Sequence, residues 1–172
     1  IEPGCTSEIT QYGDILITVA TKSYLEIGTQ ADPVQVSIFG NLFMSIAEQM
    51  GVTLQQTARS INIKERLDFS CAIFDNNGEL IANAPHTPVH LGSMDRSVSS
   101  VIQTHPKMNK GDVFATNAPY NGGTHLPDIT VITPVFNGTK SRPIFFVASR
   151  GHHADVGGTA PGSMTPRATH IE

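Results

Sequence analysis

The chain has 172 residues, of which 39% are apolar and 15% are charged, and it carries 15 glycines and 11 prolines. This composition is typical of a loop-rich globular domain with a sizeable core, and it argues against a disordered chain. The net charge is −4 and no Lys/Arg cluster occurs, which argues against nucleic acid and an anionic membrane as partners.

Cysteine usage bears on the compartment in which the protein works. Only Cys5 and Cys71 occur, and neither belongs to a CxxC or zinc-finger spacing. We therefore expect reduced thiols and a cytoplasmic location. No apolar run approaches the roughly 20 residues of a membrane helix, and we find no signal peptide. The start without methionine leads us to expect a piece of a longer protein.

The N-terminal stretch is predicted to be rich in β-structure, with a strand over 15–20 that follows a turn at Gly13. Over 33–60 the pattern becomes helical, because apolar residues recur every four positions. This stripe predicts a core helix packed on a sheet. Gly51 is expected either to interrupt the helix or to allow a close approach, and an interruption is favoured. The stripe consists of Val34, Ile38, Leu42, Ile46 and Met50.

The middle of the chain is predicted to contain a hairpin over 67–82 and a short helix over 95–105. Between them, Pro88 argues against a helix, so His86 and His90 are not treated as a self-contained metal pair. Either histidine could line a pocket or serve as a structural hydrogen-bonding residue.

Four charges stand directly before the first strand of that hairpin, within residues 64–68. A solvated face is the ordinary interpretation of such a run. Because the run adjoins an apolar strand, Arg66 or Asp68 could instead be drawn inward as a paired group.

Two Gly-rich segments flank a second predicted hairpin, whose strands cover 129–136 and 143–148. The outer ends of two antiparallel strands are neighbours, so His125 and Asp128 should meet the segment 149–158. A histidine of that segment would complete a set of two imidazoles and one carboxylate, which holds a divalent metal with open coordination positions. Spacing alone leaves open an ordinary loop histidine beside an Asp that caps a turn.

These elements together define a fold class. A long N-terminal helix followed by successive hairpins predicts an α+β protein, mixed and mainly antiparallel, with that helix packed on the sheet. No internal repeat or low-complexity tract occurs in the sequence.

Four motifs add a resemblance to a known family. In chain order they read NIKERLDFSCA (62–72), NAPHTPVHLGSM (83–94), GGTHLPD (122–128) and RGHHADVGG (150–158). Together they closely resemble the hydantoinase B family, over a match that runs from about Ala31 to about Pro166. That family includes the C-terminal half of ATP-dependent 5-oxoprolinase and the corresponding subunits of acetone and acetophenone carboxylases.

The resemblance implies roles for individual residues. The metal-binding motif of the family corresponds here to His125, Asp128 and His152. His153 and Asp155 are implied to be catalytic: His153 would lie beside the metal or face the substrate, and Asp155 would orient an imidazole.

Three further residues are assigned to the site. Arg150 is assigned to catalysis, where it would grip a carboxylate or phosphate with two hydrogen bonds; the alternative left open is that it simply pairs with a buried acid. His86 and His90 are expected to contribute to substrate binding if they line the pocket.

For the whole enzyme, the resemblance implies that 5-oxo-L-proline, ATP and water give L-glutamate, ADP and phosphate. A hydantoinase A-type half, fused or separate, would bind ATP, and the B half would hold Zn, Mn or Fe and open the cyclic amide. Residues 1–30 would be the end of a preceding A-type domain or a linker, and residues 31–172 the first portion of the B-type domain. We expect an oligomeric enzyme and little turnover by this chain alone.

Two other functions compete with this hypothesis. Within the family, the chain could belong to a hydantoinase- or acetone-carboxylase-type subunit. Outside it, the chain could be a non-catalytic assembly module whose histidines only satisfy loop hydrogen bonds.

Overall fold

The computed structural model describes residues 1, 4–19, 32–138, 141–163, 165–167 and 169. The chain divides into two compact units, Ile1–Pro33 and Val34–Glu172. Within the described ranges, no helix is both long enough and apolar enough to cross a membrane.

The first unit contains a small antiparallel hairpin. Strand β1 covers Thr6–Ile9 and strand β2 covers Ile15–Thr18. Gly13 takes a φ of 86° in the turn between them, a left-handed conformation that glycine adopts without steric cost. The strand expected over 15–20 is thus confirmed in its first four positions, and residue 20 lies outside the described residues.

The second unit is a five-stranded sheet with helices on both faces. Its helices are α1 (Pro33–Thr57), α2 (Ile61–Lys64), α3 (Pro88–Leu91) and α4 (Met94–Thr104), and its strands are β3 (Phe69–Asp75), β4 (Leu80–Asn83), β5 (Phe114–Thr116), β6 (Asp128–Val135) and β7 (Phe145–His152). Two short 3-10 helices cover Pro119–Asn121 and Pro161–Ser163. The strand order is β4-β3-β7-β6-β5, and every neighbouring pair is antiparallel. This arrangement confirms the predicted α+β fold.

The two faces of the sheet are covered to different extents. The face toward α4 carries the larger hydrophobic cluster, in which each buried Val, Ile, Phe or Met side chain stabilises the fold by roughly 1.5–3 kcal/mol. The face toward α1 and α2 carries a smaller cluster of Ile63, Phe69 and Cys71. Burial alternates along β6, as expected for a strand between two faces. The larger cluster contains Ala72, Phe74, Met94, Val98, Val101, Ile132, Phe146 and Ala148.

Helix α1 runs unbroken through Gly51, so the predicted interruption there is wrong. A Cβ atom at this glycine would lie 2.6 Å from Cε1 of His86 and 3.2 Å from Cε2 of Phe69. Glycine is therefore needed for the close approach of the helix to these rings. Only Ala47 and Gly51 of α1 are fully buried, whereas the first apolar positions of the stripe, such as Val34, are exposed.

Two further segments differ from the sequence-based expectation. Pro88 does not exclude a helix but begins the one-turn helix α3, because the first helical position needs no N–H donor. Strand β7 extends to His152, four residues beyond the predicted end. Arg150 and His152 therefore lie on a strand rather than on a Gly-rich loop, and the direction of their side chains follows from the sheet.

A candidate metal centre at the end of two strands

The first residue of β6 and the last residue of β7 face each other at one end of the sheet. Asp128 is the register partner of His152, and Asp128 is 0% exposed. His125 joins them because the intervening turn is tight: the Asp128 backbone N–H donates to the His125 carbonyl at 2.9 Å. The predicted meeting of the two segments is thus confirmed, and antiparallel pairing is its cause.

Both histidines contact the same carboxylate. His152 Nδ1 lies 2.5 Å from Asp128 Oδ1, and His125 Nδ1 lies 3.1 Å from Asp128 Oδ2. The three potential ligand atoms of these residues lie within 4.8 Å of one another. The His125 side chain is 55% exposed, so the cluster is open to solvent on that side. Two imidazoles and a carboxylate with an open side fit a divalent metal that also binds water or substrate.

The carboxyl group of Asp128 is held in its ionised form. Burial alone would raise its pKa, but hydrogen bonds from the Thr124 hydroxyl, the His125 backbone N–H and His152 outweigh burial and lower the pKa. These donors favour the charged form over the neutral form. The carboxylate therefore carries the negative charge that a metal ligand needs at neutral pH.

His90 lies behind this cluster, buried with 2% exposure. Its Nε2 atom is 3.5 Å from Asp68 Oδ1 and 3.9 Å from Asp128 Oδ2, while Nδ1 has no hydrogen-bond partner among the described residues. Burial lowers the pKa of His90, and the two carboxylates oppose that change. Asp68 had no assigned role from its motif. The sequence signal for an inward-facing charge was the position of the charged run directly before an apolar strand. Of its two candidates, Asp68 is partly buried and Arg66 is exposed.

Arg150 is buried and uses every N–H group within the protein. Its guanidinium makes five hydrogen bonds of 2.7–2.9 Å, all to backbone carbonyl or hydroxyl oxygens. A guanidinium has five N–H donors, so none is left for a substrate carboxylate or phosphate. It also makes no direct ion pair with any described carboxylate. This geometry leaves no donor for the expected grip, and of the expected pairing with a buried acid it shows only a longer-range attraction to Asp128.

The two residues that follow His152 in the motif have different surroundings. His153 is half-buried, and its backbone N–H donates to the Pro127 carbonyl at 3.0 Å. Burial lowers the pKa of His153, and the neighbouring His152 lowers the pKa further. Asp155 is exposed and its Oδ1 accepts bonds from the Gly157 N–H and the Ser163 hydroxyl. Asp155 therefore caps its own loop, and the described contacts do not place it against an imidazole.

His86 lies against helix α1 rather than in the cluster of His125, Asp128 and His152. Its Nδ1 accepts the Cys71 backbone N–H at 3.1 Å, and its ring packs on Phe69 with 4.9 Å between ring centroids. Of the two roles left open by the sequence, these contacts support the structural one.

Comparisons with known proteins agree with the motifs. A family model described as hydantoinase B/oxoprolinase matches residues 32–172. The protein named 5-oxoprolinase 1 of Arabidopsis thaliana is 59% identical over 169 residues, which cover 96% of this chain and 13% of that protein. The chain thus spans a small part of the length of the curated relatives it matches.

Two solved structures share the fold. The ATP-dependent caprolactamase from Pseudomonas jessenii aligns with a TM-score of 0.69 and 29% identity, covering 78% of this chain and 23% of that one. An acetone carboxylase aligns with a TM-score of 0.69 and 20% identity, covering 77% of this chain and 18% of that one. At that lower identity the second likeness concerns the fold alone.

Proposed function

The chain belongs to the hydantoinase B/oxoprolinase family, and from that premise we propose that it is part of an ATP-dependent 5-oxoprolinase. It would contribute the metal-binding portion of the half that opens the lactam ring of 5-oxo-L-proline to give L-glutamate, with ATP converted to ADP and phosphate. The observation that carries this proposal is the convergence of His125, Asp128 and His152 on one point.

These three residues would hold a divalent ion such as Zn, Mn or Fe. When bound, such an ion polarises a carbonyl oxygen and lowers the pKa of its water toward about 7. Asp128 supplies the charge, because its hydrogen bonds keep it ionised. It also orients both imidazoles, since His125 and His152 each place Nδ1 against one of its oxygens.

His153 is the residue we assign to proton transfer. Its lowered pKa favours a neutral imidazole at pH 7, which can accept a proton. It also lines a groove of about 340 Å³ between α1, α2 and strands β6 and β7. The groove lies on the opposite face of the sheet from Asp128 and His152, because Ile129 and Gly151 alternate with them along β6 and β7, so it is not assigned to the substrate. Its other walls include Leu54, Ala58, Ser60, Ile63, Ile129 and Val131.

His90 and Asp68 are assigned to the back wall of the site. His90 is buried and its pKa is lowered by burial, so it stands as a neutral imidazole against Asp68 and Asp128. In this role it shields Oδ2 of the Asp128 carboxylate from water.

The names of similar proteins favour a cyclic amide over a ketone. The relative with 59% identity is named 5-oxoprolinase 1, and the structure with 29% identity is named a caprolactamase, which is a second enzyme named for a lactam. The acetone carboxylase shares only 20% identity. A carboxylase-type subunit is therefore the weaker alternative, and a hydantoin, which is also a cyclic amide, is separated by assay.

The remainder of the reaction would lie outside this chain. We propose that an A-type domain binds ATP, that residues 1–30 are its end or a linker, and that residues 31–172 begin the B-type domain. The assembled enzyme would be an oligomer in the cytoplasm, and this chain alone would lack turnover.

Metal analysis of the purified chain tests the proposal first. We expect about one divalent ion per chain after reconstitution with Zn, Mn or Fe, and loss of that ion in the His125→Ala/Asp128→Ala double variant. The assembly-module hypothesis predicts no stoichiometric metal and an unchanged melting temperature in His125→Ala. Assays of the full-length enzyme on 5-oxoproline, a hydantoin and a ketone then separate the substrate classes.

A further inference from the structure

Arg150 connects the strands of the candidate site to the elements around them. It lies two residues before His152 on β7 and is the register partner of Thr130, two residues after Asp128 on β6. Residues two apart on a strand point to the same face. Arg150 and Thr130 are therefore the layer directly beneath the His152–Asp128 pair, and Arg150 Nε donates to Thr130 Oγ1 at 2.7 Å.

The other four N–H groups of Arg150 reach three more segments. Nη1 donates to the His90 carbonyl of α3 and to the Ser93 hydroxyl, both at 2.9 Å. Nη2 donates to the Ser97 hydroxyl of α4 at 2.7 Å and to the Gly122 carbonyl at 2.8 Å. Gly122 belongs to the loop that carries His125. One buried side chain thus joins β6, α3, α4 and the ligand-bearing loop to β7.

The backbone around Gly122 shows that this loop has little freedom at its contact with α4. Gly122 has a φ of +89°, and a Cβ atom there would lie 2.4 Å from the Ser97 nitrogen and 2.7 Å from the Arg96 carbonyl carbon. A Cβ at Gly123 would lie 2.6 Å from the Ala118 carbonyl oxygen. The loop therefore packs directly against the first turn of α4 at Gly122. In this position the Gly122 carbonyl accepts the hydrogen bond from the Arg150 guanidinium.

Stability alone gives a poor account of a buried cation at this strand position. Removing a guanidinium from water is costly, and apolar residues of similar volume replace buried ionic groups at little or no cost to stability. The next inward position on β7 is apolar Ala148, which is 1% exposed. A planar fork with five donors has a geometric property that apolar residues and lysine lack, because it fixes several acceptors at set angles.

We propose that Arg150 is a positioning residue of the metal centre, which sets where the His125 loop stands relative to the Asp128–His152 pair and does not touch substrate. This inference rests on the proposed metal-binding function. It predicts that the loss of Arg150 changes metal binding more than its effect on folding accounts for. Residues that orient metal ligands typically change affinity by about 10- to 100-fold when mutated.

Cobalt(II) binding followed by visible absorption tests this inference on the complete chain. Arg150→Met is expected to weaken Co²⁺ binding by about 10- to 100-fold and to alter the absorption bands. Arg150→Lys should restore less than half of that loss, since its ammonium cannot serve five acceptors. Val98→Ala is the matched control, because Val98 is fully buried on α4 and is not among the five hydrogen-bond acceptors of the guanidinium; it should lower the melting temperature and leave Co²⁺ binding unchanged.

A second readout does not depend on metal. Amide hydrogen exchange across residues 119–128 should become faster in Arg150→Met and in Ser97→Ala, and remain as in the wild type in Val98→Ala. If Arg150→Met does not fold, Arg150→Lys and Ser97→Ala carry the same comparison.

Two results would overturn the inference. One is wild-type Co²⁺ affinity and absorption in the folded Arg150 variants; the other is an equal loss in Val98→Ala at matched melting temperature. If the wild type itself binds no Co²⁺, the proposed metal function fails, and the exchange measurement still decides whether Arg150 holds the loop.

Discussion

At one end of the five-stranded sheet two imidazoles and a carboxylate converge, whereas the opposite end holds the larger cavity. That cavity has a volume of about 580 Å³ and lies by the turns of the β3–β4 and β6–β7 hairpins. Among its described lining residues, the cations Lys107 and Arg142 are exposed and none is a carboxylate. The groove of about 340 Å³ near the metal end is smaller but contains His153.

This difference shows that cavity volume alone does not identify the functional site of this protein. At the metal end, the register pairs Asp128 with His152, and hydrogen bonds lower the pKa of Asp128. At the turn end, the polar side chains come from two hairpin turns and from the segment that follows α4. A site needs groups of complementary chemistry held at fixed distances, and only the metal end meets that condition among the described residues.

The largest expected effect is at Asp128. Asp128→Asn removes the negative charge shared by both imidazoles, so metal affinity should fall by about 100-fold or more, on the scale of metal-site changes. Isothermal titration calorimetry with Zn²⁺ measures this affinity. Asp155→Asn is the matched control, because that exposed carboxylate caps its own loop, and it should bind as the wild type does. Equal losses in the two variants would contradict the proposed ligand set.

A glycine at each end gives the next comparison. Gly122→Ala forces a Cβ into the α4 backbone at a φ of +89°, so the free energy of unfolding should fall by about 2–4 kcal/mol. Gly138→Ala, in the turn at the other end, has a φ of +51° and no atom within 4 Å, so it should cost only about 1 kcal/mol. Urea denaturation measures both, and a reversed order would refute the tight packing of the ligand-bearing loop.

The same contrast applies along helix α1. Gly51→Ala would place a Cβ against the His86 and Phe69 rings and should destabilise the protein by about 1–3 kcal/mol. Gly40→Ala meets nothing within 4 Å and should stabilise it by about 0.5–1 kcal/mol through helix propensity. Thermal unfolding of the two variants gives the comparison, and stabilisation by both would mean that the helix does not approach His86 closely.

A smaller effect should appear as a dependence of stability on pH. Burial lowers the pKa of His86 below its ordinary value of 6.5, against an opposing attraction from Glu48. The folded state therefore binds fewer protons than the unfolded state. The stability from neutral His86 is complete above pH 6.5 and is lost as the pH falls toward the folded pKa. His86→Gln should reduce the decline of the urea midpoint below that pH; an unchanged slope would argue against the buried ring.

The smallest effect is expected at the turn end. Lys107→Ala and Arg142→Ala remove exposed cations from the larger cavity. Each should change the free energy of unfolding by no more than about 0.5 kcal/mol, as surface changes usually do, and leave Zn²⁺ affinity as in the wild type. A tenfold loss of metal affinity in either variant would break the contrast between the two ends.

Sequence patterns were sufficient for the elements and for the convergence at the metal end. Local signals predict the hairpins, the long helix α1 and the helix α4 that ends at Thr104. These signals are turn residues and the spacing of apolar residues, which is two in strands and about four in helices. Antiparallel strands place the start of one beside the end of the next, so His125 and Asp128 could be placed beside His152 without coordinates. The one-turn helix at Pro88 was missed because proline at a first helical position and proline as a helix breaker look alike in sequence.

The sequence by itself thus determined which residues are available to hold a metal, and which strand ends bring them together. Only the tertiary structure decided what the surrounding polar residues do. Arg150 could have gripped an anion, yet five acceptors from distant segments use all of its donors. Asp68 contacts His90, which lies 22 positions later in the sequence. Position 51 requires a glycine because the His86 ring, from a distant segment, lies against it. Such roles depend on distances between segments far apart in the chain, which no local pattern encodes.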